Sequence, residues 1–269
     1  MKSTRDQIED IKRNGFSLDF STVFNHAFEN YKKIALYSGL IILVLTIIIV
    51  MAYVGILIAY FGIESLKQDY LKEFANQNFT AVELLVQTIG FSVLAALIAP
   101  FGAGFLKMAD SADKDIEFNV STMFCYYKGK YFAQIFIAAI IAAITGNLIS
   151  NLIRSLNIPF GELIAFAIPY IISYFVYLST PLIIFGNLTG IESLKASIII
   201  VTKNPLNIFA FFIIGFLGAL VGLVACCVGI IFTAVFNSSM QYATYFAIFG
   251  TQSEEEEDSI DSIGKYNVD

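Results

Sequence analysis

The run Ile34–Ile63, IALYSGLIILVLTIIIVMAYVGILIAYFGI, holds thirty consecutive residues without an Asp, Glu, Lys or Arg. A bilayer's hydrocarbon core is ~30 Å thick and needs ~20 apolar residues of helix, so this run is long enough to cross it and must tilt or project. Composition agrees: 57% of the 269 residues are hydrophobic and 14% charged, with mean hydropathy +0.74. Soluble domains carry roughly a quarter of charged residues. The chain reads as a membrane protein in which spans, not soluble domains, are the unit of organisation.

Working outward from that run, five more apolar stretches follow: about Val82–Met108, Phe132–Ile153, Leu163–Phe185, Leu206–Ala225 and Ile230–Phe249. The expected fold is all-α, a polytopic bundle of six transmembrane helices arranged as three hairpins, because short links such as Arg154–Glu162 force neighbouring spans to run antiparallel. Residues 1–33 form a polar leader and 34–250 the transmembrane domain. No cleavable signal peptide is expected, since the first apolar run begins after this long leader and far exceeds an h-region. Residues 251–269 carry much of the formal net charge of -6, in Glu254, Glu255, Glu256, Glu257, Asp258 and Asp261. A block of like charge cannot bury a core, so a disordered acidic tail is expected.

Orientation follows from Lys and Arg in the short flanking segments. Thirteen of the sixteen lie in the leader, the second and fourth connections and the tail; Lys67, Lys72 and Arg154 lie on the other side. This places both termini in the cytoplasm. On the external side, Glu64–Phe74 carries Leu66, Tyr70 and Phe74 at helical spacing and reads as a short surface helix.

The connections also show a pattern. DFSTVFNHAFENYKK, Asp19–Lys33, places Phe20, Val23, Phe24, Ala27, Phe28 and Tyr31 on one helical stripe behind a capping Asp19. NVSTMFCYYKGKY, Asn119–Tyr131, repeats the cap and stripe with Val120, Met123, Phe124, Tyr127 and Tyr131. A third, worn version, TGIESLKASIIIVTKNP, offers Thr189 and Glu192 as a capping box and Lys203 before an Asn-Pro stop. Each hairpin is therefore expected to follow a cytoplasmic amphipathic interfacial helix, as an internal pseudo-threefold repeat. Phe20, Phe24, Phe28, Tyr31, Lys32 and Lys33 are the expected membrane anchors of the first copy. Phe124, Tyr127, Lys128, Lys130 and Tyr131 serve the second, and Lys203 the third, with lipid phosphates as partners of the lysines.

Motifs for chemistry are sparse. No ionisable residue falls at mid-depth in a span, where it would cost at least ~2.5 to 3.5 kcal/mol. The sole histidine, His26, lies on the polar face of the first lead-in, and no P-loop, dinucleotide or nucleophile motif occurs. Cys125, Cys226 and Cys227 have no metal-site spacing; the adjacent pair is either a strained vicinal disulfide or, more simply, small polarizable filling of an apolar hairpin. Pro100, Gly102, Gly104, Pro169, Pro181 and Gly186 are expected to shape and pack the helices, and Gln87, Gln134, Asn147, Asn151, Asn237, Ser238, Ser239 and Gln241 to hydrogen-bond between them. Pro100 and Pro181, near the cytoplasmic ends of even-numbered spans, also fit the broken helices that line transport sites.

IESLKASIIIVTKNPLNIFAFFIIGFLGALVGLVACCVGIIFTAVFNSSMQYATY, Ile191–Tyr245, together with FSLDFSTVFNHAFENYKK, Phe16–Lys33, resembles a group of bacterial multi-pass proteins. These are the YciC-like inner-membrane proteins and the membrane domain that accompanies some glycerophosphoryl diester phosphodiesterases. The likeness covers roughly Phe16 to Gly250. It implies six helices in a bacterial cytoplasmic membrane and supplies no catalytic residue, because the phosphodiesterase barrel of the fused enzymes has no counterpart here. The chain lacks the proline that many relatives carry after the turn matching CCVGI.

The functional expectation is a non-enzymatic scaffold, a subunit of a membrane complex or a lipid-organising protein. It needs no cofactor or metal; its partners are membrane lipids and other membrane proteins or its own copies, not nucleic acid. A small transporter or channel for a neutral or apolar substrate is the alternative. A membrane enzyme would require His26 to cluster with Asp110, Asp113 and Asp115 at a cytoplasmic pocket.

Overall fold

Capping chemistry sets most helix starts. In the computed structural model, which describes residues 3–63, 80–156, 158–223 and 229–250, the described chain is helical and contains no strand. Helix α1 (Thr4–Asn14) opens on a reciprocal capping box between Ser3 and Asp6 and stops at Gly15, whose φ is +69°. Its apolar side sets Ile8 and Ile11 into a cluster with Leu178, Leu182, Ile200 and Val201.

Helix α2 (Phe20–Phe61) starts where expected, with the Asp19 carboxylate accepting from the Thr22 amide at 2.7 Å. It then runs 42 residues without interruption, about 63 Å at 1.5 Å per residue. This corrects the expectation of a separate interfacial helix before the first span: nothing between Phe20 and Ile34 is Gly or Pro, so no residue stops the helix at Lys33. Gly62, at φ +72°, ends it.

Helix α3 (Ala81–Asp113) begins on a Thr80–Glu83 capping box and carries Pro100 within it. The second lead-in also departs from expectation. Helix α4 (Val120–Met123) is one turn, capped by Asn119, and is followed by a 3-10 turn, Cys125–Tyr127. Gly129 at φ +72° breaks the chain, and Lys130 and Tyr131 open helix α5 (Lys130–Ser155) instead of closing an interfacial helix.

Helix α6 (Gly161–Phe175) contains Pro169; helix α7 (Ser179–Ile184) takes Pro181 in its first turn, where a missing amide costs little. The backbone freed between them is satisfied from other helices. The Ser197 hydroxyl donates to Phe175 O at 2.8 Å and accepts from the Leu178 amide at 3.1 Å, and the Gln241 amide donates to Tyr177 O. Helix α8 (Gly190–Lys203) carries the expected Thr189–Glu192 capping box, and helix α9 (Pro205–Leu220) follows with Pro205 at its first position. Helices α10 (Gly229–Thr233) and α11 (Phe236–Phe249) complete the described chain.

Among the described residues, five helical stretches are long and apolar enough to cross a membrane: Phe20–Ala59, Val82–Asp113, Lys130–Ser155, Gly161–Ile184 and Pro205–Leu223. The sixth expected span, Ile230–Phe249, is not one helix but is divided between α10 and α11 at Ala234 and Val235. The expected surface helix Glu64–Phe74, the Cys226–Cys227 pair and the tail 251–269 lie outside the described residues.

Packing between α3, α5 and α6 uses small and amide residues. Asn147 donates to Ser92 Oγ at 3.1 Å and Asn151 to Thr88 Oγ1 at 2.8 Å, so two of the expected interhelical amides form rungs between α3 and α5. Gly104 lets the backbone of α4 lie directly on α3: a Cβ there would sit 2.2 Å from Met123 O. Gly102 faces open space. The main core joins Ile34, Ile41, Ala103, Leu106, Met108, Ile135 and Val235. Beyond Ile41 the side chains of α2 are mostly exposed, from Val44 to Ile56, an apolar surface suited to lipid.

Candidate functional site

The last turns of α3 read KMADSAD and carry two acids, Asp110 and Asp113, where a helix dipole disfavours negative charge. Such a local conflict needs compensation, and the fold supplies it from three helices. Lys107 reaches Asp110 Oδ2 at 2.7 Å and Lys114 reaches Asp110 Oδ1 at 3.6 Å, both from α3 or its C-cap. From α2, His26 Nε2 lies 2.8 Å from Asp113 Oδ1. From α11, the Tyr242 hydroxyl donates to Asp113 Oδ2 at 3.1 Å and lies 3.5 Å from Asp110 Oδ1. The edges of the His26 ring meet Tyr242 and Phe246, with centroids 5.8 and 5.1 Å away.

One turn along α2, buried Asn30 donates to Ala109 O at 2.7 Å, and its Oδ1 accepts from Ser239 at 3.2 Å. Lys33 donates to Ala112 O and to Asp115 Oδ1, both at 2.8 Å, closing the end of α3. Of the three acids named for an enzymatic cluster, Asp113 meets His26 directly and Asp110 meets it through Tyr242. Asp115 is held apart by Lys33.

Beside this cluster is a cavity of about 610 Å³. Its walls include Ser3, Thr4 and Arg5 from the start of the chain, Lys107, Asp110 and Lys114 from α3, Gly186 and Asn187 from the turn before α8, and Tyr242, Tyr245, Phe246, Phe249 and Gly250. Arg5 is held by Glu192 at 3.1 Å, which ties α1 to α8. Hydrogen bonds from the Thr189 amide, then from Arg5 and the Thr189 hydroxyl, hold the Glu192 carboxyl below its ordinary value. Asn187, at φ +53°, accepts from Tyr131 at 2.9 Å and Lys130 at 3.3 Å. Gly186 packs where a Cβ would sit 2.6 Å from Leu182 O and 3.0 Å from Thr4 Cγ2. Among the described residues no group of three His, Cys, Asp or Glu is placed to hold a metal.

The expected anchors divide. Phe20 and Phe28 are 41% and 43% exposed, and Lys32 lies over the Phe28 ring at 5.4 Å. Phe20 also stacks on Phe211 at 5.5 Å. Phe24 and Tyr31 turn inward instead, meeting Phe236 edge-on at 6.4 and 5.3 Å. Together with Phe28 they line a second, apolar cavity of about 310 Å³ with Ile214, Leu217 and Val221. Phe124 meets Phe101 at 5.7 Å and Tyr127 donates to Leu97 O at 3.0 Å, so both lie on the stretch of α3 around Pro100. Lys128 and Lys203 are exposed. Asn30, Tyr242 and the pairing of Arg5 with Glu192 carried no motif; Glu192 was visible only as a capping residue, and Asp110 only as an acid in the closing turns of a long apolar helix.

Comparison of the chain with protein-family models, with characterised proteins and with solved structures finds no match.

Proposed function

We propose that the chain is a non-enzymatic multi-pass integral membrane protein, a scaffold or subunit of a membrane complex or an organiser of lipid, with its charged end in the cytoplasm of a bacterial cell. The observation that carries this reading is the use made of the charged cluster. Both oxygens of Asp113 and both of Asp110 are engaged by neighbours on α2, α3 and α11, which makes the cluster a clamp between helices. The transporter alternative needs a passage along the bundle, whereas Ile34, Ile41, Leu106, Met108 and Ile135 pack together in its core. The resemblance to YciC-like proteins supports the bacterial inner membrane as the location.

Ser3 to Arg5 and Phe249 to Gly250 line the same cavity, which supports two ends on one side and an even number of full crossings. The excess of Lys and Arg makes that side cytoplasmic. Depth decides between six and four. Helix α9 begins beside the start of α2, where Asn207 donates to Leu18 O at 3.3 Å, and α10 lies beside Gly39, whose added Cβ would meet Phe232. From Tyr242, at the charged cluster, back to Gly229 is 13 residues, about 20 Å of helix against ~30 Å of hydrocarbon. Two full crossings here would put exposed Glu29 and Lys32 near mid-depth, at a cost of ~2.5 kcal/mol or more each. Four crossings by α2, α3, α5 and α6–α7, with α9 to α11 entering from the cytoplasmic side without a full crossing, avoid this.

Two experiments test the reading. Isolation in mild detergent with mass spectrometry of proteins and lipids is expected to recover a specific companion; a monomer bare of both contradicts the scaffold. In a Cys125→Ser background, an impermeant thiol reagent applied outside is expected to spare Cys226 and Cys227. Labelling from outside would establish six crossings.

A further inference from the structure

The second cavity, of about 310 Å³, lies in the seam between the start of α2 and the segment from α9 to α11. Along α2 the rings of Phe20, Phe24 and Phe28 stack at helical spacing. Their centroids are 6.1 and 6.2 Å apart and each plane lies within 10° of the next, so the faces make one flat strip. Phe24 and Phe28 carry that strip into the cavity, Ile214 and Leu217 of α9 face it, and Phe236, almost fully buried, closes the floor. Gly218 admits the Phe236 ring: a Cβ there would lie 2.2 Å from its Cδ1.

Of the nine described residues that line the space, Tyr31 and Thr233 alone carry a polar side-chain atom. The Thr233 hydroxyl is spent on neighbouring backbone, donating to Ala219 O at 2.6 Å and accepting from the Gly222 amide at 3.2 Å. A held water needs about 2 to 4 polar partners, and these side chains offer no more than the Tyr31 hydroxyl. Nor is the space sealed, since Phe28, Leu217 and Val221 in its walls are exposed. Its two ends differ. Lys32 Nζ lies 5.4 Å from the centre of the Phe28 ring and pairs with Glu29 at 2.6 Å, charges that belong at the headgroup level. At the other end Thr233 adjoins Phe232, whose ring packs on Gly39 within the apolar run of α2. One turn of a partner helix, ~10 Å across and ~5.4 Å in pitch, fills roughly 400 Å³ and exceeds the space. A single hydrocarbon chain does not.

We propose that this groove holds one acyl chain of a phospholipid from the cytoplasmic leaflet, with the glycerol end at the level of Lys32 and the chain running between the Phe24–Phe28 strip and α9. An aliphatic chain needs no hydrogen-bond partner, lies flat against ring faces, and is present in bulk beside the opening. The site rests on the membrane reading above and gives the lipid-organising role a definite ligand. It also gives Phe24 and Tyr31, which turn inward, a lipid contact that does not require them to insert into the bilayer.

The chain contains no Trp, so a single Trp placed in it is a local reporter. Phe28→Trp reports from the groove and Val50→Trp from the exposed outer part of α2. Each full-length variant is assembled in nanodiscs of phosphatidylcholine brominated in mid-chain, then extracted into mild detergent without lipid. Both are expected to be quenched in the nanodisc. After extraction Val50→Trp recovers its emission, whereas Phe28→Trp keeps most of its quenching because its chain stays in place. Adding Val221→Phe or Ile214→Phe, each of which fills the groove, abolishes the retained quenching. Native mass spectrometry of the extracted parent chain is expected to find one phosphatidylcholine bound. Either filling substitution removes it, and Leu152→Phe, on the exposed side of α5, does not. If Val50→Trp is not quenched in the nanodisc, the membrane reading fails and this site with it. If Val50→Trp is quenched but Phe28→Trp recovers alongside it on extraction, the membrane reading stands and the acyl-chain site is overturned. Lipid retention that neither Val221→Phe nor Ile214→Phe reduces also overturns it, as does retention of a protein in place of lipid.

Discussion

Replacing Gly104 with Ala tests the packing of α3 against α4 more sharply than any larger change. In a helix, Ala is favoured over Gly by about 1 kcal/mol, so on propensity alone the substitution stabilises. The structure reverses that sign. The new Cβ would lie 2.2 Å from Met123 O, 2.6 Å from its Cα and 2.7 Å from its carbonyl carbon, whereas ordinary contact begins at 3.4 Å. The α4 backbone must retreat by roughly 1 Å, and overpacking of this kind costs ~1 to 3 kcal/mol. The retreat also loosens Met123, buried in the core with Leu106 and Tyr126. Gly102, two residues away, meets nothing within 4 Å, so Gly102→Ala keeps the propensity gain without the clash. The two variants share the propensity gain and should therefore differ by the cost of the clash, about 1 to 3 kcal/mol, with Gly104→Ala the less stable. Thermal midpoints in detergent, read by fluorescence-detected size exclusion, provide the assay; at ~2 to 4 °C per kcal/mol the separation is easily resolved. Equal midpoints for the two variants would refute the close approach of α4 to α3.

Asn30→Leu keeps the branching of the side chain but leaves Ala109 O and the Ser239 hydroxyl without their partner, and is expected to cost ~1 to 3 kcal/mol by the same assay. The capping carboxylates predict an acid response. Asp19 is held below its ordinary 3.8 by the Thr22 hydroxyl and then the Thr22 amide, and Glu192 below 4.5 by the Thr189 amide, Arg5 and the Thr189 hydroxyl. A depressed carboxyl contributes stability that is fully present above its ordinary value and is lost as pH falls through the folded one. Midpoints should thus hold above about pH 4.5 and decline below it, and Glu192→Gln should flatten part of that decline; an unchanged profile in the variant would count against the Arg5–Glu192 tie between α1 and α8.

Much of the architecture was legible in chemistry that acts over three or four residues. Asp19, Asn119 and the Thr189–Glu192 box open helices where the sequence placed caps, because a side-chain oxygen two or three residues from an unpaired amide forms its bond whatever the tertiary context. Termination was less legible. The lead-in at Phe20–Lys33 looked like its own helix because polarity changes at Ile34, but polarity does not break a backbone, and α2 passes through. Gly129 does break it, and its positive φ divides a second stripe that periodicity alone had joined. The apolar stripe was read as a membrane anchor, whereas Val23, Ala27 and Tyr31 bury against Met240, Ala243 and Phe236 of α11. Which glycine permits contact could not be read from GAG at 102–104, since the answer depends on α4, some twenty residues later. His26 was judged a solitary surface residue; its partner Asp113 is 87 positions away, a distance over which only the fold brings charges together.

The central claim is that the described chain crosses the membrane an even number of times, so that Ser3 to Arg5 and Phe249 to Gly250 meet at one charged cavity. Topology reporters fused in turn before Met1 and after Asp269 measure this directly: one active only in the cytoplasm, the other only outside. Both fusions are expected to report the cytoplasm, and a C-terminal reporter active on the opposite side from the N-terminal one would contradict the account.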